Sequence, residues 1–344
     1  MSLPLLFSPF QPYHINHTVT LQDFLSEWHN DAPYVKVRTS GSTGTPKEML
    51  VEKERMVNSA RMTCKFLNLK RGDKALLCMP VDYIAGKMMV VRSIVAEMEL
   101  ISVEPSAHPL AGLISIPDFA AMTPMQVART FENADEMSIF QKIRCVIIGG
   151  GAIDHSLENK LKDCPNAVWS TYGMTETLSH IALRRVSGQS ATQWYTPLEG
   201  IRISQADNSA LTIDAPALHE GTLHTNDLVE MNDKKQFRII GRCDNTVNSG
   251  GVKIQIEEVE ERLKASCPST PFIITSRPDP VFGEIIVALL PKSTDEMGEK
   301  AIQDAISALP KYWRPKYIVH TEKLPMTETG KPDRAKAKAI AAKQ

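Results

Sequence analysis

The sequence predicts an α/β protein: a large N-terminal doubly wound domain with a small β subdomain, then a small mobile α+β domain. Three observations predict this class. Apolar strands alternate with helices of 3.6-residue apolar spacing through the first half, the pattern of βαβ units and a mostly parallel sheet. From about Leu198 the pattern changes to short strands separated by turns. The remaining residues combine strands with amphipathic helices of their own.

Length and composition set the outer limits. At 344 residues the chain exceeds one ordinary core, and we divide it into domains at 1–243 and 244–344. Lysine and arginine number 39 against 40 acidic residues, so the net charge of -1 gives no long-range attraction to nucleic acid or a membrane surface. Six well-separated cysteines predict reduced thiols in the cytoplasm. We expect no targeting leader and no membrane span, which needs roughly 20 apolar residues.

The first elements surround a loop suited to phosphate. A helix over 21–28 and a strand at Tyr34–Arg38 lead into a run whose glycines expose backbone N–H groups and whose hydroxyls and lysine suit a polyphosphate. Its members are Thr39, Ser40, Gly41, Ser42, Thr43, Gly44, Thr45, Pro46 and Lys47. It is not a Walker A loop, because Pro46 disfavours helical geometry at Thr45. A solvated turn is the alternative interpretation.

The alternation then continues to about residue 177. The predicted elements are a helix at 54–69, a strand at 75–79, helices at 88–96 and 125–133, a strand at 145–148, a helix at 154–162 and a strand at 167–170. The strand at 145–148 runs into Gly149, Gly150, Gly151 and Ala152, where a flat ligand can lie against bare backbone. A tight turn without a ligand explains these glycines equally well. The strand at 167–170 is followed by Tyr172, Gly173, Thr175 and Glu176.

The second half supplies isolated polar residues between short elements. Strands are predicted at 201–203, 210–213, 221–224 and 237–240, with Thr225, Asn226 and Asp227 between the last two. Taken alone, Asp227 is a turn residue. A polar, glycine-bearing stretch at 245–251 has the composition of a hinge. Beyond it we predict strands at 252–256, 272–276, 284–290 and 316–320, helices at 257–265 and 297–309, and a final helix after an exposed loop containing Lys331. Taken alone, Lys331 is a solvated loop lysine, and Glu176 is a cap or an ion-pair partner.

Five segments in this order resemble the adenylate-forming acyl-CoA ligase superfamily. They are the loop from Thr39 to Lys47, the run from Tyr172 to Glu176, the run from Thr225 to Asp227, the run from Gly241 to Asp244, and the run from Gly330 to Arg334. They span almost the whole chain. Within the superfamily, the residues from Asp244 to Ile254 are most similar to the branch that acts on o-succinylbenzoate in menaquinone biosynthesis.

The resemblance implies ATP and CoA as co-substrates, Mg²⁺ as cofactor, and a role for each matching residue. The loop from Thr39 to Lys47 would hold the β- and γ-phosphates, residues 149–152 would pass along the adenine, and Tyr172 would stack on it. Thr175 would contact a phosphate, and Glu176 would hold magnesium. Asp227 would bind both ribose hydroxyls with Arg242 nearby, and Lys331 would stabilise adenylation. The C-terminal domain would rotate about a hinge at Asp244, bringing Ser249, Gly250, Gly251 and Lys253 to the CoA side.

The acid itself is the least constrained part of this prediction. A keto-dicarboxylate has a second carboxylate that does not react. Lys87 or Arg92 supplies the charge to bind it, with a solvated position for both as the alternative. Gly86 and Tyr83, which would form a wall for the aryl ring, complete the predicted acyl site. Another acid, a carrier-protein thiol or a non-catalytic binding module stay as alternatives, and a homo-oligomer is left open. Relative to the superfamily, only 38 residues precede the phosphate loop, and Asn226 replaces a glycine. We therefore expect one subdomain to be shortened.

Overall fold

The computed structural model describes residues 5–7, 19–38, 48–327 and 332–343, with 5–7 described by their backbone alone. The predicted phosphate loop and Lys331 lie outside the described residues. The elements up to residue 197 are β1 (Leu5–Phe7), α1 (Leu21–His29), β2 (Tyr34–Arg38), β3 (Glu48–Glu52), α2 (Lys53–Leu67), β4 (Lys74–Leu77), α3 (Ile84–Val95), β5 (Glu99–Ser102), β6 (Phe119–Met122), α4 (Pro124–Thr130), α5 (Ala134–Phe140), β7 (Cys145–Ile148), α6 (His155–Lys162), β8 (Ala167–Gly173), β9 (His180–Arg185) and β10 (Thr196–Pro197).

The elements after residue 197 are β11 (Arg202–Gln205), β12 (Ala210–Asp214), β13 (Thr222–Met231), β14 (Phe237–Arg242), β15 (Thr246–Ser249), β16 (Val252–Gln255), α7 (Ile256–Ser266), β17 (Ile273–Asp279), β18 (Gly283–Pro291), α8 (Glu296–Ala308), β19 (Tyr317–Thr321) and α9 (Arg334–Ala341). No described helix is both long and apolar enough to cross a membrane.

The main sheet has the order β1-β5-β4-β6-β7-β8-β9-β10. Within this sheet β1, β5, β4, β6, β7 and β8 are parallel, and β9 and β10 are antiparallel to their neighbours. This confirms the predicted doubly wound, mostly parallel sheet. From β4 the chain proceeds first to β5 on one side and then to β6 on the other. In such sheets ligands bind beyond the carboxyl ends of the strands at this reversal.

A row of fully buried apolar side chains fixes the register of these strands. Leu76 pairs with Ala120, Ala120 with Val146, and Val146 with Val168, and all four are 0% exposed. The row belongs to one core with Phe140 of α5. Because the row is aligned, the carboxyl ends of β4, β6, β7 and β8 reach the same edge of the sheet.

Several predicted elements in the first half need correction. The single helix predicted at 125–133 is wrong: α4 ends at Thr130, and α5 begins after Asn133, whose side-chain oxygen accepts hydrogen bonds from the backbone N–H groups of Asp135 and Glu136. The strands β5, β6 and β9 were not predicted. By contrast, the strands at Tyr34–Arg38 and Cys145–Ile148 have the predicted bounds.

Two sheets follow the main one along the chain. One has the order β11-β12-β13-β14; the other has the order β16-β15-β18-β17 with β19 parallel to β18. The alternative interpretation of Asp227 as a turn residue is wrong, because β13 continues through residues 225–227. The stretch predicted as a hinge at 245–251 contains β15, which forms a hairpin with β16 around Gly250 and Gly251, both at positive φ.

The backbone divides into two compact units. Unit 1 consists of residues 1–204, 213–223 and 232–237, and unit 2 consists of residues 205–212, 224–231 and 238–344. Unit 2 has its own apolar core, which includes Ile254, Val259, Ile274 and Ile302. The predicted domain boundary at 243/244, with a hinge at Asp244, stays a prediction.

Candidate active site

The ends of the predicted phosphate loop are held beside the carboxyl end of β4. Strands β2 and β3 form an antiparallel pair whose last partners are Arg38 and Glu48, the residues on either side of the loop. Arg38 also makes an isolated parallel bridge to Tyr83, which follows β4 and precedes α3. The loop therefore leaves and rejoins the described chain at the sheet edge where the strand order reverses. The roles of Thr39 to Lys47 stay predictions.

The glycine-rich segment 149–152 lies at the same edge, immediately after β7. The Gly149 N–H donates to the Met122 carbonyl at 3.1 Å. A Cβ on Gly149 would lie 2.6 Å from Thr171 Oγ1, so only glycine fits there without displacing a neighbour. Gly150 has φ +79°, and a Cβ on it would meet nothing within 4 Å. Gly150 thus presents open backbone, and the nucleotide role of the segment stays a prediction.

An aromatic cluster fixes the orientation of Tyr172, the predicted adenine partner. Its ring is 8% exposed and packs edge-on against Phe237, with centroids 5.1 Å apart, and against Tyr195 at 6.0 Å. The Tyr195 hydroxyl shares a 2.8 Å hydrogen bond with Ser170 Oγ. Stacking of Tyr172 on adenine stays a prediction, because most of its side chain already packs against Phe237 and Tyr195.

A tight turn after β8 carries Thr175 and Glu176. Thr177 Oγ1 accepts from the Met174 N–H at 3.1 Å and lies 2.8 Å from the Ser179 carbonyl, to which it donates. A Cβ on Gly173 would lie 2.4 Å from that carbonyl oxygen, so glycine is required where β8 meets β9. Leu178 has φ +65°, a conformation that costs a non-glycine residue energy and is frequent at functional sites.

Glu176 is exposed, and among the described residues its carboxylate has no hydrogen-bond or ion-pair partner. No group of three His, Cys, Asp or Glu side chains in the described ranges could hold a metal ion. Mg²⁺ is commonly held by one or two carboxylates together with substrate phosphates rather than by a protein cage. The uncompensated carboxylate of Glu176 fits that kind of binding.

The four predicted acyl-site residues lie at the start of α3 or along it. Tyr83 is 38% exposed at its N-terminus. Gly86 packs so closely that a Cβ would lie 2.3 Å from the Pro80 carbonyl oxygen. The alternative that Lys87 and Arg92 are solvated is wrong, because each is 2% exposed.

The two buried cations differ in how they are compensated. The Lys87 ammonium lies 3.5 Å from the Glu27 carboxylate and 4.6 Å from the centroid of the Phe24 ring. Arg92 has no carboxylate partner among the described residues; its Nη2 donates to Ser179 Oγ at 2.6 Å, and its Nε has no partner there. Burial lowers the pKa of Arg92 to about 10, so it stays charged at neutral pH.

Hydrogen bonds that the sequence did not predict continue from Ser179 into the core. His180 Nδ1 lies 3.4 Å from Ser179 Oγ, and its Nε2 lies 2.9 Å from Thr63 Oγ1 in α2. Burial, together with the charge of Arg92, lowers the pKa of His180 well below its usual range. His180 is therefore a neutral core histidine. The only sequence signal for Ser179 was its position three residues after Glu176.

In unit 2, Arg242 connects the predicted ribose-binding and hinge residues. Its Nη1 lies 3.1 Å from Asp227 Oδ1, while Nε and Nη2 donate to the two oxygens of Asp244 at 3.0 and 3.1 Å. The hydrogen bonds from Arg242 hold the pKa of Asp244 below its usual value. Arg242 and Asp227 thus lie side by side. Their contact with a ribose stays a prediction.

The loop that contains Lys331 is closed at its base by described residues. Met326 and Pro332 form an isolated bridge, and the Asp333 N–H donates to the Pro325 carbonyl at 2.9 Å. Asp333 also caps α9 by accepting from the Lys336 N–H at 3.0 Å. On the predicted CoA side, Ser249 is buried, whereas Lys253 and the turn at Gly250 and Gly251 are exposed.

A mostly parallel sheet whose strand order reverses, with a glycine-rich segment directly after β7, is typical of nucleotide-binding α/β proteins. Residues 11–213 match the sequence model of a family described as AMP-binding enzyme. Because this match covers more than half of the chain, the protein belongs to the AMP-binding enzyme family.

Three similar proteins illustrate the relationship. An acyl-CoA synthetase (AMP-forming)/AMP-acid ligase II-like protein from Dyadobacter fermentans is 36% identical, with a TM-score of 0.64 and 91% of each chain covered. The 2-succinylbenzoate--CoA ligase of Bacillus mycoides is 24% identical over 325 residues, which cover 86% of this chain and 67% of the relative. The o-succinylbenzoate CoA synthetase of Bacillus subtilis, solved with the acyl-adenylate OSB-AMP, is 21% identical, with a TM-score of 0.73 and coverage of 88% and 68%. It has also been solved with ATP and magnesium ion.

Proposed function

We propose that the protein is an acid-thiol ligase that adenylates o-succinylbenzoate with ATP and transfers the acyl group to CoA. In the first half-reaction a carboxylate oxygen attacks the α-phosphorus of ATP, and the bond to pyrophosphate breaks. In the second, the CoA thiolate attacks the acyl carbon, and AMP leaves. Family membership and the ligases among the relatives support this reaction. We assign it to menaquinone biosynthesis in the cytoplasm, in keeping with its free, mostly buried cysteines.

The observation that carries the choice of acid is Arg92. A buried guanidinium without a carboxylate partner among the described residues is costly unless a ligand supplies the missing negative charge. The non-reacting carboxylate of a keto-dicarboxylate is such a ligand, and it can form two parallel hydrogen bonds to arginine. Lys87 is less suited, because Glu27 already neutralises it. Tyr83 would form a wall for the aryl ring.

The first half-reaction brings an anion toward a polyanion, so it needs positive charge at the α-phosphate. We assign Thr39 to Lys47 to the β- and γ-phosphates, residues 149–152 and Tyr172 to the adenine, and Thr175 to a phosphate oxygen. Lys331 would contact the reacting carboxylate and the α-phosphate and stabilise charge as it develops. Mg²⁺, held by Glu176, would neutralise phosphoryl oxygens when bound.

We assign the remaining residues of the predicted site to unit 2. Asp227 would accept hydrogen bonds from the two ribose hydroxyls, with Arg242 beside it. The residues from Ser249 to Lys253 would serve the thioester step after movement about Asp244. A carrier-protein thiol or another acid is the alternative substrate, and a non-catalytic binding module is the alternative function.

The test is acid-dependent exchange of labelled pyrophosphate into ATP with o-succinylbenzoate and a panel of aryl and acyl acids. We expect exchange with o-succinylbenzoate that falls at least about a thousandfold in Lys331→Ala, comparable to the loss of a transition-state donor. The variant Glu176→Gln should lose pyrophosphate exchange, and added Mg²⁺ should not restore it. ATP binding without exchange for any acid would favour the binding module. Measuring thioester formation with CoA and with a carrier protein then identifies which thiol accepts the acyl group.

A further inference from the structure

A chain of buried hydrogen bonds in unit 1 joins three elements around Arg92. It runs from Arg92 of α3 through Ser179, which precedes β9, and His180 to Thr63 of α2. Arg92 is 2% exposed, His180 is 6% exposed and Thr63 is 0% exposed. The chain is therefore largely shielded from water, where each hydrogen bond is costly to leave unmade.

The donors in this chain can be assigned in one direction. Thr63 Oγ1 donates to the Ser59 carbonyl at 3.1 Å, so it accepts from His180 Nε2–H. The neutral ring then has Nδ1 free to accept from the Ser179 hydroxyl, and Ser179 Oγ accepts from Arg92 Nη2. Through this assignment, Thr63 determines which tautomer faces Ser179, and Ser179 determines where Arg92 points.

Ser179 also belongs to the turn that carries Thr175 and Glu176. Its carbonyl accepts from Thr177 Oγ1 at 2.8 Å, and its backbone N–H donates to the Thr177 carbonyl at 2.7 Å. Ser179 thus contacts Arg92 through its side chain and the turn that carries Thr175 and Glu176 through its backbone.

We propose that Ser179, His180 and Thr63 are positioning residues that fix the Arg92 guanidinium for the non-reacting carboxylate of the acid. This inference rests on the proposed function, which assigns Arg92 to that carboxylate. The physical basis is orientation. A guanidinium binds a carboxylate through two parallel N–H groups only in one plane, and without Ser179 no hydrogen bond from the described residues fixes that plane.

The test uses Thr63→Val and Thr63→Ser. Valine replaces the threonine hydroxyl with a methyl group, and serine keeps the hydroxyl but loses the methyl group, so the pair separates the hydrogen bond from packing. Pyrophosphate exchange is measured with o-succinylbenzoate and with benzoylpropionate, which lacks the ring carboxylate. We expect Thr63→Val to raise KM for o-succinylbenzoate about fivefold, leaving kcat, KM for ATP and KM for benzoylpropionate unchanged, and Thr63→Ser to resemble wild type. Ser179→Ala should raise the first KM about tenfold.

The outcomes separate this proposal from the proposed function. Equal losses with both acids, a loss confined to kcat, or no change in either valine or alanine variant would overturn the positioning role. A second measurement, the shift of thermal midpoint by o-succinylbenzoate alone, does not need turnover. If wild type binds the acid without exchange and Thr63→Val binds it more weakly, the positioning role stands and the ligase proposal fails. If wild type neither exchanges nor binds, both fail.

Discussion

At the scale of single residues, two cations in one helix have opposite uses because of what surrounds them. Lys87 and Arg92 are equally buried, yet Lys87 has a carboxylate and an aromatic face, whereas among the described residues the hydrogen-bond partner of Arg92 is a serine hydroxyl. Lys87 therefore ties α3 to α1, whereas the charge of Arg92 is left uncompensated by the described residues, which is why we propose it as the ligand-binding cation. The sequence placed both in the acyl site but did not distinguish them, because Glu27 and Ser179 are distant along the chain.

A glycine at the end of β8 should be irreplaceable for a steric reason. A Cβ in Gly173→Ala would lie 2.4 Å from the Ser179 carbonyl oxygen and 2.5 Å from His180 Cα, and backbone atoms cannot move cheaply. We expect a loss of about 3 kcal/mol in unfolding free energy. Urea unfolding followed by tryptophan fluorescence measures it.

Gly188→Ala is the matched control for that change. Gly188 has φ +67°, but a Cβ there would meet nothing within 4 Å. Backbone strain alone predicts a loss of about 1 kcal/mol. Equal losses in the two variants would show that crowding at Gly173 is not the cause.

At the scale of elements, strands whose side-chain pattern is local were predictable. Cys145–Ile148 is a continuous apolar run bounded by Arg144 and a glycine-rich segment, and its predicted bounds are confirmed. The strand β15 was assigned to a hinge, because Thr246, Asn248 and Ser249 are polar; its pairing with β16 forms the strand. The interpretation of Asp227 as a turn residue failed for the same reason, since β13 is continued by neighbours that local turn chemistry does not reveal.

Helix α6, which follows the glycine-rich segment, is held to β9 by a buried ion pair. Arg184 donates to both oxygens of Glu158 at 2.8 and 3.1 Å, and the two side chains are 8% and 12% exposed. Burial opposes the charge of Glu158, but the hydrogen bonds and charge of Arg184 outweigh it, so the pKa of Glu158 lies below its usual value. By holding α6 against β9, the ion pair helps to fix the position of the C-terminal end of the glycine-rich segment 149–152.

We expect this pair to make stability depend on pH in the acid range. A lowered folded-state pKa contributes stability above the unfolded value of about 4.3 and loses it as pH falls through the folded value. Glu158→Gln should therefore be less stable than wild type by about 2 kcal/mol at pH 7. The difference should shrink steadily below about pH 4. Thermal midpoints of both proteins from pH 7 to pH 3 measure it; a constant difference would contradict the assignment.

At the scale of the whole molecule, the order of the motifs predicted the family, and the fold class followed from alternation of strands and helices. Neither could place the motifs relative to one another. Arg92 and Ser179 are 87 residues apart, and no local pattern signals their contact. The bridge between Arg38 and Tyr83 likewise depends on sheet topology. The part of the candidate site that could not be predicted from the sequence therefore depends on long-range contacts.

In unit 2, Arg334 holds the chain just after the loop that contains Lys331. It donates to both oxygens of Glu260 at 2.8 and 2.7 Å and to the Ile274 carbonyl at 2.8 Å. The side chain of Glu260 is 9% exposed and that of Arg334 is 26% exposed. Removing the arginine would leave a buried carboxylate without its cation, which is more costly than losing an exposed pair.

Arg334→Met should therefore destabilise unit 2 by about 3 kcal/mol and lower the rate of pyrophosphate exchange, because the loop base is no longer fixed. Lys336→Ala is the control: its ammonium is 72% exposed beside Asp333, so the expected loss is below about 0.5 kcal/mol. Adding Glu260→Gln to Arg334→Met removes the unpaired charge and should restore most of the stability. Exchange that stays slow in this double variant would assign the rate loss to the anchor of the Lys331 loop, whereas full recovery would assign it to stability alone.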